Sequence, residues 1–267
     1  MPELPNPNIL NPFVLMDPSV APAVALIVMA ASVSASFLIA RYFFKSYSFS
    51  GFGYLLGFPA GFAFLGLSYL FQYASWAFAN DAVMYPAFFW MQVILQSEGI
   101  TLIALSYHFK NNPGDPGKVI FRQGMQAIAR YKVKHVLVVV LPVLVVSVSF
   151  IIPSSAFVSA PYFNYPRLAD LSFVMTVFNI AVLGYIFKSA IISLVKAANA
   201  KLLYAPVAFA LLALEQYSLV LTYFDNSSVA FAGSLAVRVA GLALLVYAMR
   251  YAIRMVAARR RDLEIEA

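Results

Sequence analysis

The chain contains no cysteine and only two histidines in 267 residues. Without cysteine there can be no disulfide bond, no thiolate metal site and no cysteine nucleophile. The two histidines, His108 and His135, flank one polar loop and do not lie inside an apolar segment. A haem held by two histidines within a membrane is therefore excluded, and the sequence predicts neither a metal site nor another cofactor.

Charged side chains are also scarce, at 11% of the chain, whereas hydrophobic residues make up 63% and the mean hydropathy is +0.83. Soluble domains average about one-quarter charged residues. One helical crossing of a bilayer needs about 20 apolar residues. Seven such segments predict an all-α bundle of seven transmembrane helices that forms one domain over residues 1–267. The predicted spans are Pro22–Phe44, Gly51–Ala79, Pro86–Tyr107, Val136–Ser155, Ala169–Leu194, Leu202–Phe224 and Val229–Tyr251.

The basic residues indicate how these helices are oriented. Sixteen of the eighteen lysines and arginines fall on one side of the predicted bundle, which the positive-inside rule assigns to the cytoplasm. Residues 1–21 contain no lysine or arginine, unlike a cleaved signal peptide, and are expected to form an external tail. Residues 252–267 are expected to form a cytoplasmic tail. The net charge of +7 is then a topology signal in a plasma-membrane protein, and it requires no nucleic-acid partner.

The long predicted cytoplasmic loop, residues 108–135, has a pattern of its own. In "GKVIFRQGMQAIARYKVKH" apolar residues are interspersed with basic ones. This spacing is typical of an interfacial helix that lies on anionic lipid, although an ordinary basic loop has the same composition. The candidate lipid-binding residues are Lys118, Arg122, Arg130 and Lys132. On the predicted external side, "NSS" at Asn226 matches a glycosylation sequon.

Three short stretches recur in the same order in the second half of the chain. "PAGFAFLGL" from Pro59 aligns with "PVAFALLAL" from Pro206, "YFFKS" with "YIFKS", and "GITLIAL" from Gly99 with "GLALLVY" from Gly241. The offsets of 147, 143 and 142 residues are nearly constant. They predict that spans one to three are repeated in the same orientation as spans five to seven, with span four as a linker. Chance similarity is the alternative, because apolar helices draw on few residue types.

A parallel three-plus-one-plus-three plan resembles that of the SWEET-type sugar transporters and the proposed ancestry of the microbial rhodopsins. The resemblance rests on topology and implies two similar three-helix units. Retinal binding is not expected, because a retinal protein needs a lysine near the middle of its seventh helix, where this chain has Arg238. A guanidinium essentially never loses its proton to act as an amine nucleophile.

Three ionisable residues lie deep in the predicted spans: Glu98 in the third, Glu215 in the sixth and Arg238 in the seventh. Each costs roughly 2.5–3.5 kcal/mol on insertion scales, which makes it a functional-site candidate. Glu215 and Arg238 are nearly level and are expected to pair, with Glu98 slightly deeper. The polar layer is completed at a similar depth by Ser68, Gln72, Gln96 and Asn179. It predicts a binding or relay site, or alternatively a structural network that fixes helix rotation.

Helical spacing assigns directions to these side chains. On the sixth predicted helix, Glu215 shares one face with Ser218 and Thr222. On the third, Gln96 and Glu98 point in nearly opposite directions. Both can be buried only if the third helix is central in the bundle.

No pattern in the sequence indicates a catalytic site. No aspartate or histidine lies deep in a span, and Ser68 in "GLSY" has no partner base, so we do not expect an enzyme. We expect a receptor or sensor module that acts through the midplane polar layer and a basic cytoplasmic face. A carrier for a small solute or ion is one alternative, and an accessory subunit that packs against other membrane chains is another. A membrane or cytoplasmic protein partner is compatible with each role.

Overall fold

The computed structural model describes residues 21–50, 56–78, 81, 84–111, 165–197, 203–225 and 228–266. Within these ranges the regular secondary structure is helical, so the predicted all-α class is confirmed. Six helices follow one another along the chain: α1 (Ala21–Ser50), α2 (Gly57–Ala77), α3 (Met84–Asn111), α4 (Tyr165–Ala197), α5 (Tyr204–Asp225) and α6 (Ser228–Glu266).

The six helices overlap six of the seven predicted spans. The predicted fourth span, Val136–Ser155, lies outside the described residues. So do the external tail up to residue 20, the sequon at Asn226 and most of the basic loop with its four candidate lipid-binding residues. The predicted cytoplasmic tail differs from a simple loop, because α6 continues as one helix through Glu266.

Five of the helices are long and apolar enough to cross a membrane: α1, α3, α4, α5 and α6. Their outward faces expose large apolar side chains, such as Ile27, Val195 and Val229, as helices surrounded by lipid do. The chain is therefore a membrane protein. The remaining helix, α2, is 21 residues long and has no charged residue. Its glycines, its tyrosines, Pro59 and Gln72 lower its mean hydropathy. Much of its surface is buried against other helices, so fewer of its side chains contact lipid.

The described helices form a closed ring in chain order. Each packs against the next, and α6 packs against α1. One hydrophobic core extends through the ring and draws buried side chains from all six helices. We call α1–α3 the first unit and α4–α6 the second unit. The most extensive packing between the two units is at α3 with α4 and at α6 with α1.

Neighbouring helices within each unit run antiparallel. Phe43, near the end of α1, stacks on Phe58, at the start of α2, with ring centroids 4.7 Å apart. In the second unit Tyr204, at the start of α5, contacts Tyr247, far along α6, at 5.0 Å. The three helices of each unit therefore alternate in direction.

At the junction of the units, α3 and α4 run in the same direction. The early part of α3, around Phe89, packs against Met175, in the first third of α4. The end of α3 reaches further along α4, where His108 Nδ1 and the Tyr185 hydroxyl are 3.0 Å apart.

The closest backbone approach described involves glycines of the first unit. A Cβ on Gly61 would lie 2.6 Å from the carbonyl oxygen of Gly99, and a Cβ on Gly99 would lie 2.7 Å from that of Gly61. Small residues allow membrane helices to approach in this way. In the second unit the aligned residues also meet, but less tightly, because a Cβ on Gly241 would lie 3.2 Å from the carbonyl oxygen of Ala208.

Positions that the sequence alignment pairs have matching burial. All six buried residues described on α5 align, at the offset of 147, with buried residues of α2. On α6 six of the seven buried residues described align, at the offset of 142, with buried residues of α3, and only Ser234 departs. Middle and last helices of the two units thus turn equivalent faces inward. The buried residues of α5 are Pro206, Ala208, Phe209, Leu212, Glu215 and Gln216.

Candidate functional site

An ion pair lies at the centre of the second unit. Arg238 on α6 donates from Nε to Glu215 Oε1 on α5 at 2.6 Å, and each side chain is only 1% exposed. The two residues meet because α5 and α6 are antiparallel neighbours joined by a short turn, which brings positions of equal depth together. This is the contact that their matching depths predict.

Arg238 also reaches the first unit. Its Nη1 donates to Gln72 Oε1 on α2 at 2.6 Å and lies 4.0 Å from Met29 Sδ on α1. Its guanidinium carbon lies 4.5 Å from the centroid of the Tyr69 ring, one turn before Gln72 on α2. A cation over an aromatic face in a desolvated site contributes about 2 kcal/mol. The single arginine therefore holds the two units to each other.

The polar contacts continue into α4. Asn179 Nδ2 donates to Gln216 Oε1 at 3.3 Å, and Gln216 directly follows Glu215 on α5. We call the resulting group the central polar cluster. It consists of Met29, Tyr69, Gln72, Asn179, Glu215, Gln216 and Arg238.

The electrostatics of this cluster depend on the pair staying intact. Both charges are removed from solvent, and the desolvation of two ions is offset only when their geometry is good and other hydrogen bonds satisfy the remaining groups. Gln72 supplies one such bond, by accepting from the Arg238 guanidinium. The cluster is therefore neutral overall but contains two charges that cannot be separated cheaply.

Ser68 has a different hydrogen-bond partner from the one expected of a member of the polar layer. It is fully buried, but its hydroxyl donates to the Leu65 carbonyl of its own helix at 2.7 Å. Among the described residues its hydroxyl forms no hydrogen bond with the central polar cluster. Its hydroxyl satisfies a local need of α2, as serines inside helices commonly do.

The predicted inward face of α5 is partly wrong. Ser218 and Thr222 are only partly buried, and their hydroxyls bond to carbonyls of their own helix. The second inward polar residue is Gln216, next to Glu215. The reason is that α5 packs between α4 and α6, so its inward face lies between the directions of Glu215 and Gln216.

Among the described residues, neither Gln96 nor Glu98 forms a hydrogen bond or ion pair with the central polar cluster. Gln96 is buried, and Glu98 is partly buried with an Oε2 atom that has no hydrogen-bond partner. The helix α3 is the most buried of the five candidate spans, but it is a member of the ring and packs between α2 and α4. Only Gln96 of the two is therefore fully buried.

Sequence reasoning missed Tyr69 and Gln216 as members of the site. A signal was present for each, since Tyr69 lies one turn before Gln72 and Gln216 directly follows Glu215. Met29 gave no signal, because a thioether contact to a cation depends on which helix lies opposite.

Two further hydroxyls lie near the cluster. Ser32 and Ser36 are buried on the face of α1 that carries Met29, and among the described residues neither hydroxyl has a hydrogen-bond partner. Unpaired buried polar groups are costly, so this face is suited to a polar ligand. In the part of the chain described, no three metal-ligating side chains come together.

Comparisons with known proteins add no relative. The chain matches no protein-family model, no curated protein and no solved structure.

Proposed function

We propose that the protein is a non-retinal, seven-helix membrane sensor module whose central polar cluster controls α6. The observation that carries the proposal is the continuity of α6 from Ser228 to Glu266. This one helix contains Arg238, inside the bundle, and the segment from Arg250 to Glu266, which includes five arginines. At 1.5 Å per residue, the part beyond Tyr251 extends roughly 20 Å past the apolar window.

The contacts of Arg238 suggest how a signal would be transmitted. In the described state Arg238 is bound to Glu215 of its own unit and to Gln72 and Tyr69 of the first unit. A ligand that takes over the contact to Gln72 or Tyr69 removes a tie between the units without exposing an unpaired charge. The α6–α1 junction then has a second arrangement, and a rigid α6 carries the displacement to its far end.

The ligand-binding face of the sensor is expected to be polar. Ser32 and Ser36 offer hydroxyl groups beside Met29, within about two helical turns of the arginine contact. A small molecule with hydroxyl, amide or carboxylate groups would satisfy them. The chemistry of the site therefore favours a polar solute over a hydrocarbon ligand.

The direction of the helices supports the seven-span plan. The parallel direction of α3 and α4 favours one further crossing between them, and the apolar segment Val136–Ser155 is the candidate that the sequence offers. One more crossing gives seven in total. With the basic residues inside, the N-terminus is then external, and the C-terminal part of α6 is cytoplasmic.

Matching burial supports the parallel repeat. The pairs Gly61–Gly99 and Ala208–Gly241 are aligned by the repeat and make corresponding helix contacts. We infer that the two units are copies of one three-helix ancestor, in the general plan of the SWEET-type and rhodopsin-like bundles. The inference concerns architecture and carries no substrate from those families.

A basic cytoplasmic face provides the output side of the sensor. Anionic lipid at Lys118, Arg122, Arg130 and Lys132 would hold the loop at the plasma membrane. The extension of α6 would bind a membrane or cytoplasmic partner that supplies the response.

The test uses the absence of cysteine. Two cysteines introduced at Arg250 and His108, both exposed, allow a distance measurement by spin labels across the end of the bundle. Gln72→Leu should shift or broaden the distance distribution because it removes the tie between the units. Ser68→Ala, one turn away on the same helix, is the matched control and should not change it. Identical distributions in all three proteins would contradict control of α6 by the cluster.

A carrier is the second candidate, favoured by the two units of like packing and direction, which could rock about the cluster. Flux into proteoliposomes that depends on Glu215 and Arg238 would establish it. An accessory subunit would instead be indicated by a stoichiometric membrane partner after gentle extraction, with no flux and no change in α6.

A further inference from the structure

Glu98 is a carboxyl group in the middle of α3 that has no partner among the described residues. Its Oε2 atom is buried, and no described side chain forms a hydrogen bond or ion pair with it. The residue lies fourteen positions after the start of a 28-residue helix, inside the apolar window Ala87–His108. The ends of the apolar window are therefore roughly 15 Å away along the axis in either direction.

The two helices packed against α3 offer no described cation at this level. On α2 there is no charged residue, and the titratable groups are Tyr69, which faces Arg238, and Tyr73, which is exposed. On α4 the titratable side chains described are Tyr185, which contacts His108 at the end of α3, and the exposed Lys188.

The other charged or titratable groups described either have partners already or lie toward the ends of α3. Arg238 is the one buried cation described, and it already binds Glu215 and Gln72. The other titratable groups of α3 that have described side chains lie toward its ends, at Tyr85, Tyr107 and His108.

An ionised carboxylate in such a place has, among the described residues, no cation to offset the loss of its hydration. A buried carboxyl without a partner cation avoids this cost by retaining its proton. Glu215 has the opposite surroundings, because the Arg238 guanidinium donates to its Oε1 atom at 2.6 Å and supplies the partner cation. The two carboxyl groups are thus predicted to exist in different protonation states at the same pH.

We propose that Glu98 is a proton-binding site within the membrane, occupied in the described state, while Glu215 is a fixed anion. The ligand of the site is a proton, and its release would place one negative charge on the face of α3. The bundle would then respond to pH or to anything that hydrates Glu98. The proposal is independent of the sensor function, since a carrier or a subunit could use the same group.

Labelling with dicyclohexylcarbodiimide tests the proposal on the unaltered protein. This lipid-soluble reagent reacts with a protonated carboxyl: the acid proton moves to a carbodiimide nitrogen, and a new bond joins the carboxyl oxygen to the carbodiimide carbon. In native membranes at neutral pH, mass spectrometry should find the adduct at Glu98 and not at Glu215. The adduct should be lost in Glu98→Gln and should decline as the pH is raised.

Infrared spectroscopy provides a measurement that does not depend on reagent access. The spectrum of the reconstituted protein should contain the carbonyl band of a carboxylic acid in an apolar environment. That band should disappear in Glu98→Gln and should persist in Ser68→Ala, which alters a buried residue without a carboxyl group. A wild-type spectrum without the band, or a band that survives Glu98→Gln, overturns the proposal. An adduct confined to Glu215 overturns it as well.

Discussion

The two units share a pattern of buried positions but hold their middle and last helices together differently. In the first unit, Gly61 and Gly99 bring the backbones of α2 and α3 into direct contact. In the second unit the aligned contact between Ala208 and Gly241 is wider, and α5 and α6 are joined by an ion pair. Equivalent helix pairs of the two units are thus stabilised differently, α2 with α3 by close backbone contact and α5 with α6 by an ion pair.

The positions of the ion pair sharpen this contrast. Glu215 aligns with Ser68, and Arg238 aligns with Gln96, so the first unit has neutral residues where the second has charges. The first unit packs closely without them. The pair is therefore not required by the packing plan, and its distinctive contact is the one that Arg238 makes across the junction to Gln72.

Breaking the ion pair should have the largest effect. Glu215→Leu or Arg238→Leu leaves one buried charge without its partner, and each is expected to cost about 3–5 kcal/mol of stability. The double substitution removes both charges and should recover much of the loss. Thermal unfolding in detergent measures all four proteins. Single variants as stable as wild type would show that the second unit does not depend on the pair.

Crowding the glycine contact should affect the first unit more than the second. Gly61→Ala or Gly99→Ala places a methyl group against a backbone carbonyl and should cost about 1–3 kcal/mol. Gly241→Ala, with a wider gap, should cost less.

Gly184→Ala and Gly233→Ala are the matched controls for this comparison, because nothing lies within 4 Å of their Cβ positions. They should be neutral or stabilising by up to about 1 kcal/mol through higher helix propensity. Equal effects at Gly61 and Gly184 in thermal unfolding would mean that the first unit is not held by close backbone contact.

Removing the aromatic contact across the junction should have a smaller effect. Tyr69→Leu is expected to lose about 1–2 kcal/mol of cation–π interaction, whereas Tyr69→Phe keeps the ring face over the Arg238 guanidinium. A double-mutant cycle with Arg238→Leu isolates the interaction from the lost packing volume. A coupling energy near zero would indicate that Arg238 is held on α2 by Gln72 and that the Tyr69 ring adds nothing.

Neutralising Glu98 should have the smallest effect. Glu98→Gln keeps the shape of the side chain and removes no described contact, so its stability should stay within about 0.5 kcal/mol of wild type. Glu215→Gln, the same chemical change in the second unit, leaves Arg238 unpaired and should approach the loss seen for Glu215→Leu. Comparable losses in both variants, measured by thermal unfolding at neutral pH, would mean that Glu98 has an ionic partner.

The depth of the polar residues was predictable from the sequence, but which of them contact one another was not. Depth counting identified Glu215, Arg238 and Gln72, because rise per residue is a local property of a helix. It could not distinguish Gln72, which meets the arginine, from Ser68, which bonds to its own backbone. It also omitted Gln216, because the inward direction of α5 depends on the two helices beside it.

The sequence by itself determined that this is an all-α membrane protein, where its helices lie and which residues cost energy inside the bilayer. These properties follow from apolar run length, helical rise and the scarcity of charge. The tertiary structure decided that the helices form a ring, that α3 packs between α2 and α4 and that Arg238 makes contacts in both units. The two carboxyl groups also differ in their surroundings. Glu215 pairs with Arg238, whereas Glu98 pairs with none of the described cations. The physical reason is that an isolated helix fixes the depth of a side chain, whereas its partners depend on which neighbouring helix it faces.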